Sequence, residues 1–145
     1  MSDENGKTDY KFVVLLSKKI GTGVALNVAS HMVAALMAKA TEEDKEMMKF
    51  LEYVDGSGKV HLVSGLSLIV LRADNSNKIP QARNSAIDEG ILNVDFTESM
   101  TGGTYVEQIK RTQATPESDL IYYGLCMFGL KEKIDPLTSK FSLYH

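Results

Sequence analysis

Asn27 and His31 stand four residues apart, with Ser30 beside them. That spacing puts an amide and an imidazole on one face of a helix. The pair interrupts a run of small and apolar residues and is rotated away from the Val24, Val28 and Met32 stripe. On the rim of a crevice, His31 would exchange protons near neutral pH and act as an acid or base. The alternative is that both residues cap or bridge neighbouring loops. Just upstream, Gly21-Thr22-Gly23 separates an apolar run from this helix. Backbone N–H groups at such a turn face outward beside the positive end of the helix dipole and can cradle an anion. The motif lacks both the dinucleotide fingerprint and the Walker lysine spacing, so a tight turn with close helix packing also accounts for it.

A second group lies far along the chain, where Asp95 closes an apolar run and Phe96-Thr97-Glu98 follow. Ligands of open α/β sheets gather beyond the carboxyl ends of the strands. There Asp95 would orient a substrate or a histidine, and Thr97 would offer a hydroxyl. Equally, Asp95 could cap the turn and accept hydrogen bonds from the Met100–Thr104 loop. The catalytic candidates are therefore His31 as acid/base and Asp95 as its orienter. Thr22, Gly23, Asn27 and Thr97 are the ligand-binding candidates, with the Gly21–Gly23 turn as anion or oxyanion cradle.

The remaining candidates carry little chemistry. His61 falls in a hairpin and His145 is the last residue, so no metal-ligand spacing emerges, and neither a metal nor a cofactor is expected. Cys126, between Leu125 and Met127, reads as a buried and inert thiol. No Gly-x-Ser-x-Gly nucleophile elbow is present.

These residues need elements to position them. Lys11–Ser17 reads as a strand buried on both faces, because its apolar run is nearly continuous. Val24–Ala38 follows as a helix, with Gly23 and the alanines letting it lie close to the sheet. Thr41, ahead of Glu42, Glu43 and Asp44, starts a second helix that runs to about Phe50. Leu51–Val54 and Val60–Val63 flank Asp55-Gly56-Ser57-Gly58, an accessory hairpin. Leu66–Arg72 is a core strand, Lys78–Glu89 a helix stopped by Gly90, and Ile91–Asp95 a short buried strand. Glu98–Gly103 reads as flexible. Thr104 and Glu107 have capping-box spacing before a helix to about Gln113. Leu120–Phe128 is the last core strand, Lys131 and Lys133 a solvated turn, and Phe141–Tyr144 a short closing strand. Strands alternating with helices predict an α/β three-layer sandwich with a mixed, mostly parallel sheet of about four core strands.

At 145 residues, the chain is the size of one domain. Residues 1–9 read as a disordered tail and 10–145 as a single domain. The polar, acidic start lacks the order of a signal peptide, and the longest apolar runs are too short to span a bilayer. One cysteine rules out an internal disulfide framework and suits a reducing, cytoplasmic setting. A formal charge of −3 weighs against nucleic acid as a partner, since a phosphate-binding surface needs a basic field.

With its elements placed, the chain resembles a known group. Lys-Phe-Val-Val-Leu-Leu from Lys11, then Gly-Thr-Gly-Val-Ala-Leu-Asn-Val-Ala-Ser-His through His31, is similar to the opening of type II peptidyl-tRNA hydrolases. The segment from Ile134 to Tyr144 is similar to their closing helix and strand. A nearer resemblance is to domain-of-unknown-function family two thousand, carried by Asn27, Val94-Asp95-Phe96-Thr97, Tyr105 and Tyr123-Gly124 to Gly129. The resemblance implies a peptidyl-tRNA hydrolase II-like fold over almost all of residues 11–144. The hydrolases' lysine at the helix start aligns with Val24 and their turn lysine with Thr22, and of their Asp-Ala-Gly turn only Asp95 matches. Losing a cation where an ester carbonyl or a tRNA phosphate must be met removes charge-assisted stabilisation, so ester hydrolysis of peptidyl-tRNA is the lesser expectation.

The leading expectation is a small-ligand-binding or enzymatic role, a hydrolase if an enzyme, on an unknown small molecule. Thr22, Gly23, Asn27 and His31 form one wall of the crevice, and Asp95 and Thr97 the other. The rival is a non-catalytic homodimeric interaction module that uses Met32, Met37 or Tyr123 for contact.

Overall fold

A computed structural model of the protein describes residues 9–145. All but the last residue of the tail expected over 1–9 therefore lie outside the described residues. The carbonyl of Asp9 accepts a hydrogen bond from the Lys131 N–H at 2.7 Å.

The elements run β1 (Tyr10–Ser17), α1 (Thr22–Lys39), α2 (Glu42–Met47), β2 (Phe50–Val54), β3 (Val60–Ser64), β4 (Ser67–Ala73), α3 (Lys78–Asp88) and β5 (Leu92–Thr97). A 3₁₀ turn over Glu98–Met100 leads to α4 (Tyr105–Gln113), and a second over Glu117–Asp119 leads to β6 (Tyr122–Leu130). The chain closes with α5 (Lys131–Thr138) and β7 (Ser142–Leu143). Lys131 and Lys133 thus belong to a helix rather than a turn. α2 starts where expected, because Thr41 forms a reciprocal capping box with Asp44, but it stops at Met47. Gly90, at φ +68°, ends α3 in the left-handed conformation that glycine favours.

The main sheet has five strands in the order β5-β6-β1-β4-β7. Only β1 and β4 pair in parallel; β1–β6, β5–β6 and β4–β7 are antiparallel. The expectation of a mostly parallel sheet is corrected to a mixed one. The β1–α1–β4 segment is a crossover of the expected kind. α3 then carries the chain to the far edge, and β6 returns between β1 and β5, antiparallel to both. Alternation of strands and helices shows that crossovers exist, but it does not show which gap a later strand fills.

β1 is buried on both faces, as its apolar run predicts. Phe12, Val14 and Leu16 join the core under α1, and Val13 and Leu15 join the one under α3 and α5. Cys126 and Phe128 of β6 belong to the first core, and Leu125 and Met127 to the second. α1 presses Ala25, Val28, Met32 and Leu36 into the sheet. Close approach there depends on Gly124, not Gly23. A Cβ on Gly124 would lie 2.7 Å from Met32 Cε and 3.1 Å from the Leu15 carbonyl, whereas one on Gly23 would meet nothing within 4 Å. β2 and β3 pair only with each other, as the accessory hairpin of the sequence reading.

A neutral crevice between α1 and β5

α1 and β5 bound an open crevice of about 1140 Å³. Gly23, Val24, Asn27 and His31 line one wall, and Val94 and Phe96 the other. The Met100–Thr104 loop, Tyr105 and Gln108 close one end. The His31 ring lies 6.0 Å from the Phe96 ring, tilted by 44°. Because α1 turns Val28 and Met32 inward, Asn27 and His31 stand exposed at the crevice mouth. Among the described residues, neither the Asn27 amide nor the His31 ring nitrogens has a hydrogen-bond partner, so both are free to meet a ligand.

The expected union of His31 with Asp95 does not form. Along β5, alternate side chains face opposite sides of the sheet. Val94 and Phe96 join the core under α1, while Asp95 registers with Leu125, which is buried in the opposite core. Asp95 borders the crevice, but its carboxylate accepts a hydrogen bond from Arg83 Nε of α3 at 2.8 Å. Arg83 also reaches Glu117 at 3.5 Å and lies 5.9 Å over the Tyr122 ring. Burial opposes the Arg83 charge, yet the hydrogen bond and charge of Asp95 outweigh it and raise the guanidinium above its ordinary pKa. Burial also pushes the Tyr122 phenol up.

Thr97 does not line the crevice either. It is 1% exposed, and its hydroxyl shares a 2.8 Å hydrogen bond with Ser99, which in turn accepts one from Thr112 at 2.9 Å. An irregularity between Phe96 and Thr97 displaces Thr97 from strict alternation. Thr22 opens α1 in solvent but outside the crevice lining, while Gly23 lies on the lip. Gly21, at φ −67° and ψ 160°, begins the helix without a side-chain cap, and no acid occupies its first turn.

The Glu98–Gly103 segment, read from sequence as flexible, is tied from below. Arg111 of α4 donates to the carbonyls of Ser99, Thr101 and Gly102. Gly102 and Gly103 turn the chain at φ +69° and +73°, and Thr104 caps α4 by accepting from the Glu107 N–H at 3.2 Å. Gln108 donates to the Gly102 carbonyl at 3.3 Å and lines the crevice end. Sequence reasoning missed Phe96, Tyr105 and Gln108 as lining residues. The Gly102-Gly103-Thr104 turn was the signal that could have found the latter two, because it aims the start of α4 back at α1.

Among the described residues, no lysine, arginine or glutamate lines the crevice. His31 and Tyr105 are its titratable groups beside Asp95, whose charge Arg83 matches. Among the described residues, no group of three or more histidine, cysteine, aspartate or glutamate side chains could hold a metal ion. None of the described helices is long and apolar enough to cross a membrane.

Fold and site together define a mixed α/β protein with a largely apolar crevice beside its first helix. The chain belongs to the DUF2000 family of proteins of unknown function, whose profile matches residues 10–145. It is similar in structure to a protein of unknown function from Agrobacterium tumefaciens strain C58. Their TM-score is 0.77 at 18% sequence identity, over 95% of this chain and 99% of that one. No curated protein matches the chain.

Proposed function

We propose that the crevice binds a small, uncharged, planar ligand with both ring and amide character. The observation that carries this reading is the pairing of Asn27 and His31, each without a protein partner, beside Phe96 in a lining without a free charge. An aromatic face would stack against Phe96 and His31, and a neutral amide would exchange hydrogen bonds with Asn27 and Gln108. A charged ligand would lose its hydration with no counter-ion in return.

Binding is better supported than catalysis. A general-base role for His31 would lack the orienting carboxylate, since Asp95 is held by Arg83 on the other face. Peptidyl-tRNA hydrolysis by a peptidyl-tRNA hydrolase II-like domain over residues 10–145 is weaker still, because Val24 stands at the lip where a cation would be needed. The single buried thiol, Cys126, supports a cytoplasmic setting.

The test is a thermal-shift series with benzamide, nicotinamide and benzoate on the wild type, Asn27→Ala and His31→Ala. A ligand that binds only the folded state, at a hundred times its Kd, adds about 2.7 kcal/mol of stability. The neutral amides should raise Tm by several degrees in the wild type and not in either variant. Stabilisation by benzoate alone, or by none of the three, would reject the reading. Peptide release from peptidyl-tRNA that is lost in His31→Ala would establish the hydrolase instead.

A further inference from the structure

β1 and β4 pair in parallel, and each runs out at its carboxyl end into a turn and a helix. Ligands of α/β sheets gather beyond such strand ends. β1 leads into α1 and the crevice. β4 leads through residues 74–77 into α3, and there a second groove opens on the opposite face of the sheet. Its volume is about 400 Å³, and it shares no lining residue with the crevice. That size falls within the range of about 300–1,000 Å³ found for small-molecule sites.

α3 forms one wall of the groove, and the turn from α5 into β7 forms the other. Both pack on the core that holds Ile79, Ala82 and Ala86 of α3 and Ile134 of α5, with Leu137 and Phe141 resting against it. The Phe141 N–H donates to the Thr138 carbonyl at 3.1 Å and closes the turn after α5. Lys78, Gln81 and Ser85, spaced by three and four residues, set a polar edge of α3 along the groove. Ala82, Leu137 and Phe141 supply its apolar part, and Lys140 enters from the far wall.

Charge sets this groove apart. Its lining holds three cations and one carboxylate, in a chain whose formal charge is −3. Arg72 reaches Asp74 at 3.4 Å and the His145 ring at 3.0 Å, so that carboxylate is already matched. Among the described residues, the Lys78 and Lys140 ammonium groups have no partner, and no acid stands in the first turn of α3. The Gln81 amide and the Ser85 hydroxyl are likewise unengaged. Two cations from distant parts of the chain thus share one groove without a counter-charge, and they repel until an anion enters.

We propose that this groove is an anion site whose ligand is a phosphate monoester with a flat apolar body, about the size of a mononucleotide. A phosphate monoester carries a charge of about −1.5 to −2 at neutral pH, which matches two free lysines. A carboxylate would answer only one of them. Lysine meets phosphate as a point charge, so Lys78 and Lys140 can hold it from both walls. The groove leaves room beyond the phosphate, where Leu137 and Phe141 would cover the body. Gln81 and Ser85 would hydrogen-bond its edge. This inference does not depend on what the crevice binds, since the two sites lie on opposite faces of the sheet.

The experiment is a titration with phenyl phosphate, inorganic phosphate and benzoate, followed by calorimetry and amide chemical shifts. It compares the wild type with Lys78→Gln, Lys140→Gln and Asn27→Ala. Phenyl phosphate should shift the amides of residues 78–85 and 137–142 and bind more tightly than the other two anions. Each lysine variant should weaken it about tenfold, as for one lost hydrogen bond to a charged group, with the ligand-free Tm unchanged. Asn27→Ala should bind it as the wild type does. No shifts at millimolar phenyl phosphate, or shifts confined to residues 23–35, overturn the proposal. Equal affinity for inorganic phosphate would reject the apolar body, and equal affinity for benzoate would reject the phosphate. Binding that survives both lysine changes would reject the anion site altogether.

Discussion

Arg83 Nε donates to the Asp95 carboxylate at 2.8 Å, on the face of the sheet opposite His31. The pair is a joint between α3 and β5, with about a quarter and a fifth of its side chains exposed (24% and 21%). It makes Asp95 a structural anion and leaves His31 without a carboxylate to orient it. Arg83→Ala should lower stability by about 1.5–3 kcal/mol, the range for hydrogen bonds to charged groups. In a double-mutant cycle with Asp95→Ala, the losses should fall short of additive by at least about 0.5 kcal/mol. Additive losses in denaturant melts would mean the joint carries no coupling.

Gly124 faces Met32 across the contact between α1 and β6. A methyl there meets the flexible end of Met32 at 2.7 Å and the fixed Leu15 carbonyl at 3.1 Å. Gly124→Ala should therefore cost about 1–3 kcal/mol through overpacking. Adding Met32→Ala should recover only part of the loss, because the carbonyl cannot move aside. The same contact corrects the notion of an exposed Met32 docking face, since Met32 is 1% exposed. Met37 packs against the same core, and Tyr123 donates its hydroxyl to Glu98 at 3.3 Å.

Arg111 holds the crevice end through the carbonyls of Ser99, Thr101 and Gly102. Arg111→Ala should leave global stability within about 1 kcal/mol, as for most exposed substitutions. Amide exchange across residues 99–104 should quicken, and ligand affinity in the crevice should fall with it. Unchanged exchange in that segment would show that the glycine turns alone set its shape.

The Cys126 thiol is pushed up to about 12 by burial. Burial, then the Glu98 charge, likewise raises the Tyr123 phenol. A group whose pKa is raised on folding stabilises the protein fully below its unfolded pKa and loses that contribution as pH rises. Unfolding free energy should thus decline from about pH 8.5, where a free thiol begins to titrate, toward pH 12. Cys126→Ala should flatten part of this slope. At neutral pH the native thiol should resist disulfide reagents until the protein unfolds.

The sequence by itself determined the elements. Alternation and apolar runs located β1, β4 and β6, the Thr41 and Thr104 caps located two helix starts, and Gly90 located a helix end. Those signals are local, written within a turn or a strand of the residues they govern. It also determined that Asn27 and His31 share a helix face, since 3.6-residue periodicity needs no tertiary information. Tertiary structure alone decided that β6 enters between β1 and β5, because strand order depends on which edges remain open after the crossovers. It alone decided the fate of Asp95. Period-two alternation puts Asp95 on the face opposite Phe96, but only the packing of α3 with its Arg83 beneath β5 shows that this face is not the one His31 shares. Distance along the chain says nothing about which side of a sheet a later helix will cover.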